Sequence, residues 1–235
     1  MIIYPAVDIK NGKCVRLEKG DMNKATKYGE PYKMAKQWQS LGAEYIHLVD
    51  LDSAFTGGFK NYDAVSKILD NINIPVQLGG GIRTMEDIDE RLRKLNIDRV
   101  IIGTAAVKNP DLVKQAVSKY PGRIVVGIDA KDGKAAIEGW DGETGIDAVT
   151  LALSMKEIGI DTIIYTDIAK DGMLSGPNLE ATKEMVQKTG MNIIGSGGMS
   201  CQTDVINIKK TGVSGVIVGR ALYTKDIDLK EAMSI

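Results

Sequence analysis

The chain states one pattern twice, and that repetition limits its possible folds more than any other feature. Ile2-Ile3-Tyr4-Pro5-Ala6-Val7-Asp8-Ile9-Lys10-Asn11-Gly12-Lys13 is echoed by Arg123-Ile124-Val125-Val126-Gly127-Ile128-Asp129-Ala130-Lys131-Asp132-Gly133-Lys134. Each is an apolar run that reaches an Asp and continues to a Lys, one residue, Gly and Lys. Asp8 and Asp129 stand 121 positions apart in a chain of 235 residues. Further echoes follow in order. Tyr45-Ile46-His47-Leu48-Val49-Asp50 matches Thr162-Ile163-Ile164-Tyr165-Thr166-Asp167, and Val76-Gln77-Leu78-Gly79-Gly80-Gly81 matches Ile193-Ile194-Gly195-Ser196-Gly197-Gly198, both at an offset of 117. Val100-Ile101-Ile102-Gly103-Thr104-Ala105 matches Val216-Ile217-Val218-Gly219-Arg220-Ala221 at 116. A register this constant points to two copies of one supersecondary unit.

The repeated runs are short, unalternated and rich in Val and Ile, as expected for parallel strands buried on both faces. Eight are predicted, near 2–8, 45–50, 75–79, 99–103, 124–129, 162–166, 192–196 and 215–219. Helix starts are marked at Asn61, Thr84 with Asp87, Asn109-Pro110 and Asn178, and stops at Gly42, Gly159, Gly190 and Gly212. Eight strand–helix alternations predict an α/β fold, a single-domain (β/α)8 TIM barrel built from half-barrels of approximately 1–122 and 123–235. A doubly wound open sheet is the alternative, and the repeat argues against it. In a barrel the site lies at the C-terminal strand ends. Asp8, His47, Asp50, Asp129, Thr166, Asp167 and Asp171 are therefore expected around one mouth.

An acidic residue ending a buried strand is costly unless it is partnered or used, so Asp8 and Asp129 are the first candidates for chemistry. Glycines supply the second feature. Gly79-Gly80-Gly81 and Gly103-Thr104 follow strands of the first half; Gly197-Gly198 and Gly219-Arg220 follow those of the second. Without a Cβ, backbone N–H groups can close on an anion, and the next helix start adds open donors. Two such sites imply a ligand with a phosphate at each end.

Net charge is −1, which gives no reason to expect nucleic acid or a membrane surface as partner. Cys14 and Cys201 lack metal-ligand spacing and read as reduced thiols. No basic leader or long apolar stretch is evident, so a cytoplasmic protein is the expectation. The segments 18–30 and 132–145 are long for loops of this fold. They are expected to close over a ligand, which would protect them from proteolysis.

Pro5-Ala6-Val7-Asp8, Val15-Arg16-Leu17, Gly20-Asp21, His47-Leu48-Val49-Asp50-Leu51-Asp52, Leu78-Gly79-Gly80-Gly81-Ile82-Arg83, Ile128-Asp129, Gly139-Trp140, Thr166-Asp167-Ile168, Asp171-Gly172 and Gly219-Arg220-Ala221-Leu222-Tyr223 together resemble the phosphoribosylformimino-aminoimidazole carboxamide ribotide isomerases of histidine biosynthesis, over essentially the whole chain. The resemblance implies a bis-phosphorylated aminoaldose converted to an aminoketose by Amadori rearrangement. It implies Asp8 as the base and Asp129 as the acid, without cofactor, metal or obligate protein partner. Asp171 is a rival for the acid, because a free carboxyl near pKa 3.9 is a poor donor at neutral pH. Arg16, His47, Trp140 and Thr166 are the expected substrate contacts. Gly80, Gly81, Gly103, Thr104, Gly197, Gly198, Gly219 and Arg220 are the expected phosphate contacts, Arg220 through its N–H. Three alternatives remain open: a dual-substrate isomerase that also acts on phosphoribosylanthranilate, the cyclase subunit of imidazole glycerol phosphate synthase, and a non-catalytic phosphosugar-binding protein.

Overall fold

Each barrel strand is an apolar run whose alternate side chains serve two cores. A computed structural model describes residues 1–18, 20–137 and 142–235, and Trp140 lies outside them. Its strands are β1 (Ile2–Lys10), β2 (Lys13–Glu18), β3 (Asp21–Gly29), β4 (Ile46–Asp50), β5 (Val76–Gly79), β6 (Arg99–Ile102), β7 (Ile124–Lys131), β8 (Lys134–Ile137), β9 (Gly142–Asp147), β10 (Thr162–Asp167), β11 (Asn192–Ser196) and β12 (Gly215–Val218). Parallel pairing runs β10-β11-β12-β1-β4-β5-β6-β7, and β7 returns to β10 to close the ring. Helices between the strands complete a single-domain (β/α)8 barrel. The eight predicted runs are the eight barrel strands. β1 and β7 are four places apart in this ring, so they face each other across it.

The period of two divides each run between the cores. Ile3, Val7 and Ile9 of β1 join the outer layer under the helices, with Ile46 and Leu48, Ile163 and Tyr165. Tyr4 and Ala6 join Tyr45, Ile101, Val125, Ile164, Ile194 and Ile217 in the barrel interior. Asp8 shares the parity of Tyr4 and Ala6, and Asp129 that of Val125. Their carboxylates therefore emerge on the inner face, above a floor of apolar side chains.

The same parity corrects one expectation. Asp50 has the parity of Ile46 and Leu48, and Asp167 that of Ile163 and Tyr165, so both face the helix layer instead of the mouth. Asp50 is fully buried and accepts from Ser53 N (3.0 Å), Asn61 N (3.1 Å) and Asn61 Nδ2 (2.6 Å). Asp167 accepts from Ala169 N (2.9 Å) and Asn178 Nδ2 (2.7 Å). In each half a strand-end Asp is tied to an Asn eleven residues later, at the start of a helix that follows. These are buried staples with satisfied hydrogen bonds.

A second correction concerns the segments expected to be long loops. The first holds β3, which with β2 extends the sheet beside β1; the second holds β8 and β9 beside β7. The turns are Asn11-Gly12 (φ 49° and 70°) and Asp132-Gly133 (φ 50° and 75°), both with consecutive positive φ. That conformation matches strand twist and selects Asn-Gly or Asp-Gly. The hairpins stand at matching places in the repeat, so each acidic strand carries a β-ribbon beyond its carboxylate.

The helix signals hold at the residue level. Thr84 and Asp87 form a reciprocal capping box, Asn109 caps Leu112 N, and Asn178 caps Ala181 N. Asn61 precedes its helix but spends its side chain on Asp50 and Asp52 instead of a cap.

Candidate active site

Side chains from seven of the barrel strands, and the loops that follow strands in both halves, enclose one cavity of about 780 Å³. Asp8, Arg16, His47, Asp129, Thr166 and Asp171 line it, as do both glycine groups, 79–81 with 103–104 and 197–198 with 219–220. A volume of this size suits a ligand larger than a monosaccharide. Every residue singled out from the sequence as a substrate, proton-transfer or phosphate contact thus borders this space, except Trp140, whose position lies outside the described residues.

The two glycine groups are built alike. Gly80 and Gly81 have φ of 104° and 71°, and Gly197 and Gly198 of 93° and 85°. A Cβ on Gly81 would stand 2.8 Å from Gly58 O, and one on Gly197 would stand 2.8 Å from Asp167 O. The chains cross too closely for any side chain, and this leaves backbone at the cavity wall. Gly103 (φ −96°, ψ −112°) and Gly219 (φ −101°, ψ −104°) start single-turn helices, Thr104–Lys108 and Arg220–Tyr223, without side-chain caps. Arg220 Nη1 donates to Gly172 O at 2.8 Å, which turns its guanidinium to the loop after β10. Arg83 Nη2 likewise donates to the carbonyls of Ala54 (3.2 Å) and Phe55 (3.4 Å).

Under the first group lies a buried Arg91, whose Nη2 donates to Gly58 O at 2.8 Å and Gly80 O at 3.5 Å. Its guanidinium stacks on Phe59, 4.2 Å from the ring centre. Arg91 was not foreseen.

Arg16 reaches across from the hairpin to Asp8, with Nη1 to Oδ2 at 2.9 Å. Its guanidinium lies against Gly219, where a Cβ would overlap it, and 6.0 Å from the ring centre of Tyr223. Tyr223 is fixed by donating to Ala6 O at 2.8 Å and by edge contact with Trp38. Trp38 is thereby a packing residue, buried in the core beneath the first helix.

Burial dominates the acid–base character of the site. It raises the pKa of Asp8; Arg16 opposes the rise and Asp171 adds to it. Burial also raises Asp171, again opposed by Arg16. Both carboxyls hold their protons to higher pH than free aspartates, as proton-transfer groups near neutrality require. Thr166 is the β10 neighbour of Asp129 in register. Among the described residues, no three His, Cys, Asp or Glu side chains cluster as metal ligands.

His47 is held neutral. Burial, aided by the nearby Arg16 cation, lowers its pKa to about 3. Between pH 6.5 and about 3 the unfolded chain takes up a proton here that the folded chain refuses, so stability falls as pH falls. We expect the urea unfolding free energy of the wild type to lose up to about 1.4 kcal/mol per pH unit more than that of His47→Gln across this window. Parallel pH slopes for the two proteins would refute a neutral buried imidazole.

Known proteins place this cavity in context. The model of the histidine biosynthesis protein family matches residues 2–228. A protein of Thermoanaerobacter pseudethanolicus named 1-(5-phosphoribosyl)-5-((5-phosphoribosylamino)methylideneamino) imidazole-4-carboxamide isomerase is 54% identical, with 100% of this chain and 99% of the relative covered. Proteins of the same name from Acetivibrio thermocellus and Syntrophotalea carbinolica are 54% and 50% identical, with 100% of this chain and 99% and 98% of the relatives covered.

Proposed function

This chain belongs to the histidine biosynthesis protein family, and from that premise we propose how its cavity works as an isomerase. The reaction is the Amadori rearrangement of the bis-phosphorylated aminoaldose to the aminoketose. The observation that carries the residue assignments is that Asp8 and Asp129, on opposed strands, line one cavity with a glycine cradle in each half. Backbone N–H groups at 80–81 and 103–104 take one phosphate; those at 197–198 and 219–220 take the other. The span between them sets the reacting ribose over the carboxylates.

The proton bookkeeping then runs through two groups. Asp129 as acid protonates the ribose ring oxygen, the C1–O bond breaks, and a protonated Schiff base forms at C1. Asp8 as base removes the C2 proton, and the electron pair moves to give an enolamine. Protonation at C1 and loss of the hydroxyl proton at C2 yield the aminoketose. Holding the substrate by its distant phosphates makes these transfers intramolecular in effect. A raised Asp8 pKa strengthens it as a base near neutral pH. Arg16 keeps Asp8 oriented, and Thr166 orients Asp129. A second assignment, Asp171 as the acid, is supported by its raised pKa and by its interaction with Asp8.

The relatives' name supports the isomerase over the cyclase alternative. No described helix is long and apolar enough to cross a membrane. We place the enzyme in the cytoplasm, acting on a small molecule without an obligate protein partner, and read the chain as two fused half-barrels joined near residue 122. Incubating the purified protein with the aminoaldose is expected to give the ketose at a rate proportional to enzyme; no conversion would overturn the reading. Phosphoribosylanthranilate tested in parallel is expected to remain unconverted.

A further inference from the structure

One polar row inside the barrel is not demanded by the fold. Parallel register sets His47 beside Gln77 and Gln77 beside Arg99 on β4, β5 and β6. In the other half of the repeat, register sets Ile164 beside Ile194 and Ile194 beside Gly215. Ile164 and Ile194 pack in the interior apolar cluster. The same places in the same architecture therefore accept purely apolar side chains. Burying an imidazole and an amide there costs free energy that an Ile pair does not.

The hydrogen bonds of this row run in one direction. A guanidinium only donates. Arg99 Nη2 donates to Gln77 Oε1 and to Tyr4 Oη, each at 3.1 Å, and Arg99 Nε donates to Tyr45 Oη at 3.0 Å. The cation also stacks on Tyr45, 4.7 Å from the ring centre, and Tyr45 in turn donates to Asp98. With its oxygen held by Arg99, fully buried Gln77 must turn its NH₂ toward His47, and Nε2 stands 3.0 Å from Nδ1. A donor at that distance needs a lone pair on Nδ1. The ring proton is then on Nε2, the nitrogen remote from Gln77, on a residue that lines the cavity.

We propose that Gln77, clamped by Arg99, is a positioning residue that fixes His47 as the Nε2–H tautomer and makes it a hydrogen-bond donor to a substrate oxygen. The inference rests on the reading of the cavity as an isomerase site and deepens it. A neutral donor of this kind stabilises negative charge growing on oxygen without competing for the protons that the aspartates move.

His47 is the only histidine in the chain, so ring-¹⁵N spectra of the uniformly labelled protein carry one unobscured pair of signals. For the free wild type at pH 7 we expect a protonated Nε2 and an unprotonated Nδ1; a protonated Nδ1 would overturn the proposal. In Gln77→Glu the carboxylate can only accept, so Nδ1 is expected to gain a proton, with kcat down about tenfold, the value of one orienting hydrogen bond. Unchanged ring signals, or inverted signals with unchanged kcat, would each count against it. Should Gln77→Glu not fold, Gln77→Met serves instead, with both tautomers expected and a single retained Nε2–H form as the contrary result. The spectra need no substrate, so they are read independently of whether the wild type makes ketose, which is the test of the isomerase reading.

Discussion

Asp8→Asn is expected to lower kcat by about 10³-fold or more while KM changes only a few-fold, because positioned proton transfer contributes on the order of 10²–10⁴ and the phosphate contacts are untouched. The substitution is close to isosteric. Its amide oxygen can still accept from Arg16, now 2.9 Å from the carboxylate, so the pocket keeps its shape and loses only the proton acceptor. Asp129→Asn is expected to cost as much, and Asp171→Asn about tenfold or less, because Asp171 acts on Asp8 only through its charge. The reverse ranking, with turnover retained in Asp129→Asn and lost in Asp171→Asn, would move the acid to the loop after β10. Single-turnover assays with saturating aminoaldose separate these outcomes.

Gly80→Ala is expected to destabilise the fold by about 3 kcal/mol, combining about 1–2 for a side chain at positive φ and about 1–3 for overpacking. Gly80 has φ of 104°, and a Cβ there would stand 2.9 Å from the carbonyl carbon and 3.0 Å from the nitrogen of Asp50. Neither atom can retreat, because Asp50 is pinned by Ser53 and Asn61 and lies in a barrel strand. Gly122→Ala is the control. Its φ of 74° carries the same conformational cost, but nothing lies within 4 Å of its Cβ position. Denaturant unfolding of the pair should show Gly80→Ala as the weaker by about 2 kcal/mol, with raised KM. Equal midpoints would mean that the first cradle tolerates backbone movement and is not the rigid crossing described here.

The barrel and the opposed aspartates were legible because they are carried by repetition. A fixed offset between Asp8 and Asp129, and between the two glycine groups, survives without knowledge of any contact. Parity within a strand was equally present and was not applied. Counting by twos from Ile46 and Leu48 sends Asp50 outward, and counting from Ile163 and Tyr165 sends Asp167 with it. The same count sends Gln77 inward, between outward Val76 and Leu78, and so marks it as a buried polar group in need of partners. The hairpins were written as Asn11-Gly12 and Asp132-Gly133, which served as repeat markers and were not weighed as type I′ turns. Arg91 is a different case. Helical spacing puts it on the stripe of Ile88, Leu92 and Leu95, where Arg93 is not, but only the packing of its helix under the loop at 57–58 shows it as a buried cation.

The account stands most directly on a crystal structure of the Asp8→Asn enzyme with the bis-phosphorylated aminoaldose bound. It predicts one phosphate on the N–H groups at Gly80, Gly81, Gly103 and Thr104, the other on those at Gly197, Gly198, Gly219 and Arg220, and the ribose C1–C2 bond between residue 8 and the Asp129 carboxylate. Both phosphates at one cradle, or a reacting ribose turned away from either position, would contradict it.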